Sequence, residues 1–147
     1  APQGSGLLVS AVRASETVAI ETTAPEQHRD LTDAVRDVVR RSGLASGLCH
    51  VMVLHSTAAV VVNETDDPNI GTDISVALDR AIPDRDGWLH DRIDDNASAH
   101  IKAALLGPSE LVPVRDGELV LGTWQRIILM EFDGPRKRKV HVQLLPS

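Results

Sequence analysis

The eight residues from Leu48 to His55 would present apolar side chains on both faces of a strand: Leu48, His50, Met52 and Leu54 alternate with Cys49, Val51, Val53 and His55. Successive side chains of a strand point to opposite sides, so a segment that is apolar on both is expected to be covered on both. That requirement calls for a layered fold. His55 closes one of these rows where Ser56-Thr57 turns the chain into a second apolar strand, Ala58–Asn63. A histidine at a strand end beside two hydroxyls is better placed for chemistry than His50, which reads as structural in mid-strand.

The flanking segments alternate between the two periods. Leu7–Arg13 and Thr17–Thr22 read as a hairpin turning at Ala14-Ser15-Glu16. Leu31, Ala34, Val35, Val38 and Val39 recur at helical spacing, with Asp30 as the cap and Gly43 past the end. A second helix is expected to begin at Thr72 or Asp73, to carry Ile74, Ala77, Leu78, Ala81 and Ile82 on one face, and to end at Pro83. A third is expected from about Asn96 to Leu106, capped by Asp95 or Asn96, with Ala97, Ile101, Ala104 and Leu105 as its buried stripe. Asp116-Gly117 between apolar runs predicts a hairpin. Arg126–Phe132 reads as a strand with Ile127, Leu129 and Glu131 on one face, so Glu131 is either buried with a partner or at an interface. Val140, Val142 and Leu144 give a last strand. Few of these connections suit parallel crossovers, which argues for an α+β fold with largely antiparallel sheets. One domain is expected over 1–147, with the polar, Gly-rich residues 1–6 frayed.

A net charge of −6 speaks against binding to a phosphate backbone, and 2% aromatic residues leave little for base stacking. The basic run Arg136-Lys137-Arg138-Lys139 reads first as the solvated end of a hairpin. Cys49 is the only cysteine, so no intramolecular disulfide forms; in mid-strand among valines it reads as core. No apolar run reaches the roughly 18 to 20 residues of a membrane helix, and no signal pattern opens the sequence, so the expectation is a soluble cytoplasmic protein with no membrane partner.

Chemistry concentrates between His90 and His100, where two imidazoles, three carboxylates and a helix start share eleven residues. Asn96 and His100 lie four apart on one helix face. A loop histidine and a helix-borne one, joined by His55 from a strand end, could supply three ligands to a zinc-type ion or form an acid/base set. Asp91, Asp95 and Glu131 are the candidate carboxylates. The plain alternative makes His100 a half-buried helix residue and His90 a surface one. The sequence contains no Gly-rich phosphate loop, paired Cys-x-x-Cys, His-Glu-x-x-His or nucleophile elbow.

His55-Ser56-Thr57-Ala58-Ala59, Asn63-Glu64, His90-Asp91, Asp95-Asn96-Ala97 with Ala99-His100, Leu106-Gly107-Pro108-Ser109, Leu121-Gly122-Thr123-Trp124-Gln125, Glu131 and Gly134-Pro135-Arg136 occur in an order that resembles the YjbQ family, over roughly Leu7 to Leu145. Members of that family are described as secondary thiamine-phosphate synthases. The resemblance implies a two-layer, mostly antiparallel β-sandwich of about seven strands with three helices, assembled as a homotrimer with its site near subunit boundaries. It implies His55, His90 and His100 as ligands of a metal or an anion. Asp95, Asn96 and Glu131 would then be catalytic, and Ser56, Thr57, Thr123, Trp124, Gln125 and Arg136 would contact a small anionic or phosphorylated metabolite. The implied transferase reaction leans on Mg²⁺ held by oxygens, whereas imidazoles favour Zn²⁺, Mn²⁺, Ni²⁺ or Co²⁺. A metal on these histidines would therefore make thiamine-phosphate synthesis a side activity. The alternative is a non-catalytic trimeric module that binds a metabolite or anion.

Overall fold

The computed structural model describes residues 14–147. Along the chain run β1 (Ser15–Glu21), β2 (Gln27–Asp30), α1 (Thr32–Ser42), β3 (Gly47–Val53), β4 (Ala58–Asn63), α2 (Pro68–Ala81), a 3₁₀ turn (Leu89–Arg92), α3 (Ala97–Leu106), β5 (Ser109–Arg115), β6 (Glu118–Leu119), β7 (Arg126–Glu131) and β8 (Lys137–Pro146). The strands form an α+β arrangement of two antiparallel sheets, five strands in the order β1-β8-β3-β5-β6 and three in the order β2-β7-β4. Among the described residues that makes eight strands, in keeping with the expected sandwich of about seven; the short β2, which pairs with β7, was not read from the sequence.

The expected strand Leu7–Arg13 lies outside the described residues. Its supposed turn does not form at Ser15-Glu16: these two pair with Gln143 and Val142 of β8, so β1 is held by the far end of the chain. The Asp116-Gly117 hairpin forms as expected, with both residues at positive φ, 54° and 76°.

The core fills the space between the two sheets. Cys49, Val51 and Val53 of β3, Val112 and Val114 of β5, and Val140, Val142 and Leu144 of β8 face Ala58 and Val60 of β4 and Ile127 and Leu129 of β7, with Val35, Val38 and Val39 of α1 packed in. Burial pushes the Cys49 thiol up to about 12, so it stays protonated and inert.

The other face of β3 departs from expectation. The strand stops at Val53, and Leu48, Met52 and Leu54 stand exposed, with Leu111 and Leu145 beside them on β5 and β8. Nothing among the described residues covers this row.

Two helix readings also change. α2 begins four residues before Thr72, at Pro68, because Asp67 accepts a hydrogen bond from the Asn69 N–H at 2.9 Å and Pro68 occupies the first turn, where its missing N–H costs nothing. The start of α3 holds, but its cap does not. Neither Asp95 nor Asn96 caps the helix through its side chain; Asp91 takes the Ala97 N–H at 2.9 Å. The helix is also rolled about its axis, exposing Ala104 and Leu105 and burying Ala97, Ser98, Ala99, Lys102 and Ala103. The roll is held by Lys102, whose ammonium is 1% exposed and meets Glu26 at 2.9 Å and Asp79 at 2.6 Å.

Candidate functional site

Three segments converge at one end of the sandwich: the β3–β4 turn with His55, Ser56 and Thr57, the β7–β8 turn from Asp133 to Arg136, and the start of α3. Between them lies an open cleft of ≈ 440 Å³, whose lining includes His55, Ser56, Thr57, Asp94, Asn96, His100, Asp133, Arg136 and Arg138.

Its floor is a buried ion pair. Arg138 continues the inward alternation of Val140, Val142 and Leu144, so it enters the core instead of lying in solvent with Lys137 and Lys139. Its guanidinium is paired to Glu131, with Nε donating to Oε2 at 2.8 Å, and Nη2 also donates to Thr57 Oγ1 at 2.8 Å. Glu131 further accepts from Thr22 Oγ1 at 2.8 Å and from the Asp133 N–H at 3.0 Å. Burial alone would raise this carboxyl, but Arg138 and the two other donors outweigh it and hold Glu131 below the usual range. Glu131, expected to be catalytic, is thus buried with a partner, and it holds the Arg138 guanidinium that donates to Thr57.

Above the floor, His55 Nε2 accepts the Lys139 N–H at 2.9 Å. Burial first, and then the positive Arg138, lowers its pKa, so the ring is neutral with its proton on Nδ1. Asp133 organises the opposite wall. Its carboxylate receives Asn96 Nδ2 at 2.9 Å and Arg136 Nη2 at 2.9 Å, while its carbonyl receives Arg136 Nε at 2.8 Å. Burial opposes ionisation of Asp133, but these donors prevail and keep it anionic.

His90 and His100 do come together. Their rings meet edge to face, with centroids 4.9 Å apart at 86°. The joint metal site suggested by His55, His90 and His100 is a different matter. The His55 lone pair is committed to a backbone N–H, and among the described residues no three His, Cys, Asp or Glu side chains converge as metal ligands. As placed among the described residues, the three imidazoles do not fit a metal ion.

Of the remaining candidates, Ser56, Thr57, Asn96 and Arg136 line the cleft. Asp95 does not. Its backbone sits at φ 58°, its carboxylate is paired with Arg85, and it borders a neighbouring, smaller pocket. Thr123, Trp124 and Gln125 form an exposed loop outside the cleft lining, Trp124 being 59% exposed, and Gln125 Oε1 accepts the Gly122 N–H at 2.8 Å. Residue spacing pointed to neither Arg138, Asp133 nor Asp94. For Arg138 the signal was present, since it shares its odd-even phase with three core aliphatics.

A more enclosed cavity of ≈ 240 Å³ lies under α2, floored by Val61, Ile74, Ile128 and Met130. His28 lines it, with Nε2 3.3 Å from Ser75 Oγ and a pKa lowered by burial. This cavity is mostly apolar and contains no residue of the converging set, so the open cleft is the candidate site.

The sequence model of a family described as "UPF0047 protein YjbQ-like" matches residues 16–147. A UPF0047 protein of Archaeoglobus fulgidus is 47% identical over 116 residues, which is 79% of this chain and 89% of that protein. The fold is similar to that of a crystal structure described as a YbjQ-like protein of unknown function from Sulfolobus solfataricus, with TM-score 0.87 and 40% identity, covering 90% of this chain and 96% of that one. A Clostridium acetobutylicum structure described as an uncharacterized conserved protein of the same family matches with TM-score 0.85 and 39% identity, covering 88% and 99% of the two chains.

Proposed function

This chain belongs to the YjbQ-like UPF0047 family, and from that membership and the cleft's geometry we propose that it is an enzyme acting on a small phosphorylated metabolite, with transfer of the thiamine-phosphate synthase kind as a secondary activity. One observation carries this reading. Arg136 Nη1, the Ser56 hydroxyl and the His55 Nδ1–H are donors in the cleft lining with no partner among the described residues. Donors held in place before a ligand arrives bind a phosphate without first breaking internal bonds, and they meet charge that develops on a departing pyrophosphate. His100, in the cleft wall against His90, is the proton carrier in this reading.

The protein acts as a homotrimer in this proposal. The exposed row Leu48, Met52, Leu54, Leu111 and Leu145 supports it, since an apolar face of this kind marks an association surface. The exposed loop Thr123-Trp124-Gln125, outside the cleft of its own chain, is in this proposal a further surface for a neighbouring protomer.

Isothermal titration with inorganic phosphate and pyrophosphate tests the anion site. Saturable binding that weakens by about tenfold or more in Arg136→Ala is expected, because a charge-assisted bond is worth about 1.5–3 kcal/mol. Binding untouched by that change would overturn the reading.

A non-catalytic module is favoured by a different observation: Glu131 and Asp133 are both committed to arginines, so neither is a free base. His100→Ala separates the two. Turnover lost with ligand still bound supports the enzyme, while ligand binding without turnover in the parent protein supports the module.

A further inference from the structure

We infer that the ligand of the cleft carries a hydrogen-bond donor, a hydroxyl or an amino group, beside its phosphate, and that Asn96 Oδ1 receives it. This rests on the anion-binding reading of the same cleft and adds to it the second half of the ligand.

The orientation of the Asn96 amide is fixed by its neighbour. Asp133 is ionised and can only accept, so the amide must turn its Nδ2 toward that carboxylate, as the 2.9 Å bond records. A flipped amide would set oxygen against oxygen. Oδ1 is therefore left facing away from Asp133, and it is a buried atom with no hydrogen-bond partner among the described residues. Burying an acceptor without a donor is costly, so such an atom is met in a working protein by a water or by a bound group. His90 Nε2, on the turn leading to the same helix start, is the only other buried side-chain atom left in this condition among the described residues, and its nearest carboxylate, Asp94, stands 3.6 Å away. Both unmet atoms thus flank the beginning of α3, near His100, whose ring meets that of His90. Arg136 ties the two halves of the proposal together: Asp133 holds it through Nε and Nη2 and holds Asn96 through Nδ2, so anion contact and acceptor share one anchor.

A pair of probes matched in charge reads the difference. Ethyl phosphate and 2-hydroxyethyl phosphate carry the same charge and differ by one hydroxyl, so titrating each into the full chain separates phosphate binding from binding of the added group. The hydroxyethyl compound is expected to bind about tenfold more tightly, the worth of one bond to an otherwise unmet buried acceptor. In Asn96→Ala the ratio of the two affinities should fall to about one, whatever the change in phosphate binding that both probes share. Asp133→Asn provides a second variant that keeps Asn96: with a neutral amide opposite, the Asn96 side chain is free to turn, and the ratio of the two affinities should shrink. Equal binding of both probes to the parent protein overturns the inference, because a water then meets Oδ1, and leaves the anion site standing. A preference that survives in Asn96→Ala also overturns it. Binding of neither probe removes the anion-binding reading and this inference with it.

Discussion

Arg138 and Glu131 form a two-point ion pair with both side chains out of solvent, 2% and 0% exposed, and Thr57 is hung from the same guanidinium. Two charges taken from water in this way are stable together because Glu131 also accepts from Thr22 and the Asp133 N–H while the guanidinium also donates to Thr57.

Glu131→Gln leaves Arg138 as a buried, uncompensated charge. A loss of about 3–5 kcal/mol in unfolding free energy is expected from denaturant titration, and a comparable loss in Arg138→Met, where Glu131 is the charge stranded. The double variant Glu131→Gln/Arg138→Met should lose less than the two singles summed, because no charge is left without its partner. Strict additivity would mean that the pair is not coupled.

Acid should destabilise the fold through two groups. Glu131 has a folded-state pKa below its ordinary value, so the unfolded chain takes up the proton first; its contribution is present above the ordinary carboxyl range and is lost as pH falls through the folded value. His55 is also lowered, by burial and by Arg138, so its contribution is present above the unfolded value of 6.5 and is lost as pH falls below it. NMR titration of the His55 ring should give a midpoint below 6.5. A midpoint at or above that value would contradict its bond from the Lys139 N–H.

Gly134 lies in the turn that carries Asp133 and Arg136. A Cβ there would fall 2.3 Å from the Ala24 carbonyl oxygen, a backbone atom that cannot swing aside. Gly134→Ala should cost about 1–3 kcal/mol and weaken phosphate binding together with stability, since the turn itself must move. Unchanged melting and unchanged binding would show that the turn has room.

Met52 is 36% exposed at the centre of the bare sheet face, with Leu111 and Leu145 on neighbouring strands. Light scattering of the parent protein is expected to give about three times the 15.8 kDa chain mass, and Met52→Glu should shift it toward a single chain, because a charge cannot be buried there unpaired. A monomeric parent would remove the trimer from the proposal.

The α+β class, the inward rows of β3, β7 and β8, the Asp116-Gly117 hairpin and the Gly43 stop of α1 were legible in the residues, because each follows from a repeat or a turn chemistry confined to a few neighbours. The start of α2 was read four or five residues late, at Thr72 or Asp73, although Asp67-Pro68 carried its signal. Gly71 is there for a tertiary reason: a Cβ would lie 2.7 Å from His28 Nδ1.

The cleft divides along the same line. His55, Asn96 and His100 were found from their places at a strand end and a helix start. The roles of the groups around them were decided by contacts between residues far apart in the chain: Arg138 is drawn to Glu131 and Thr57, Asn96 is turned by Asp133, His55 spends its lone pair on Lys139, and α3 is rolled by Lys102 toward Glu26 and Asp79. Local sequence determines which way successive side chains alternate. Which charge meets which, and therefore which proton or lone pair is left free for a ligand, is set only when distant segments close on one another and exclude water.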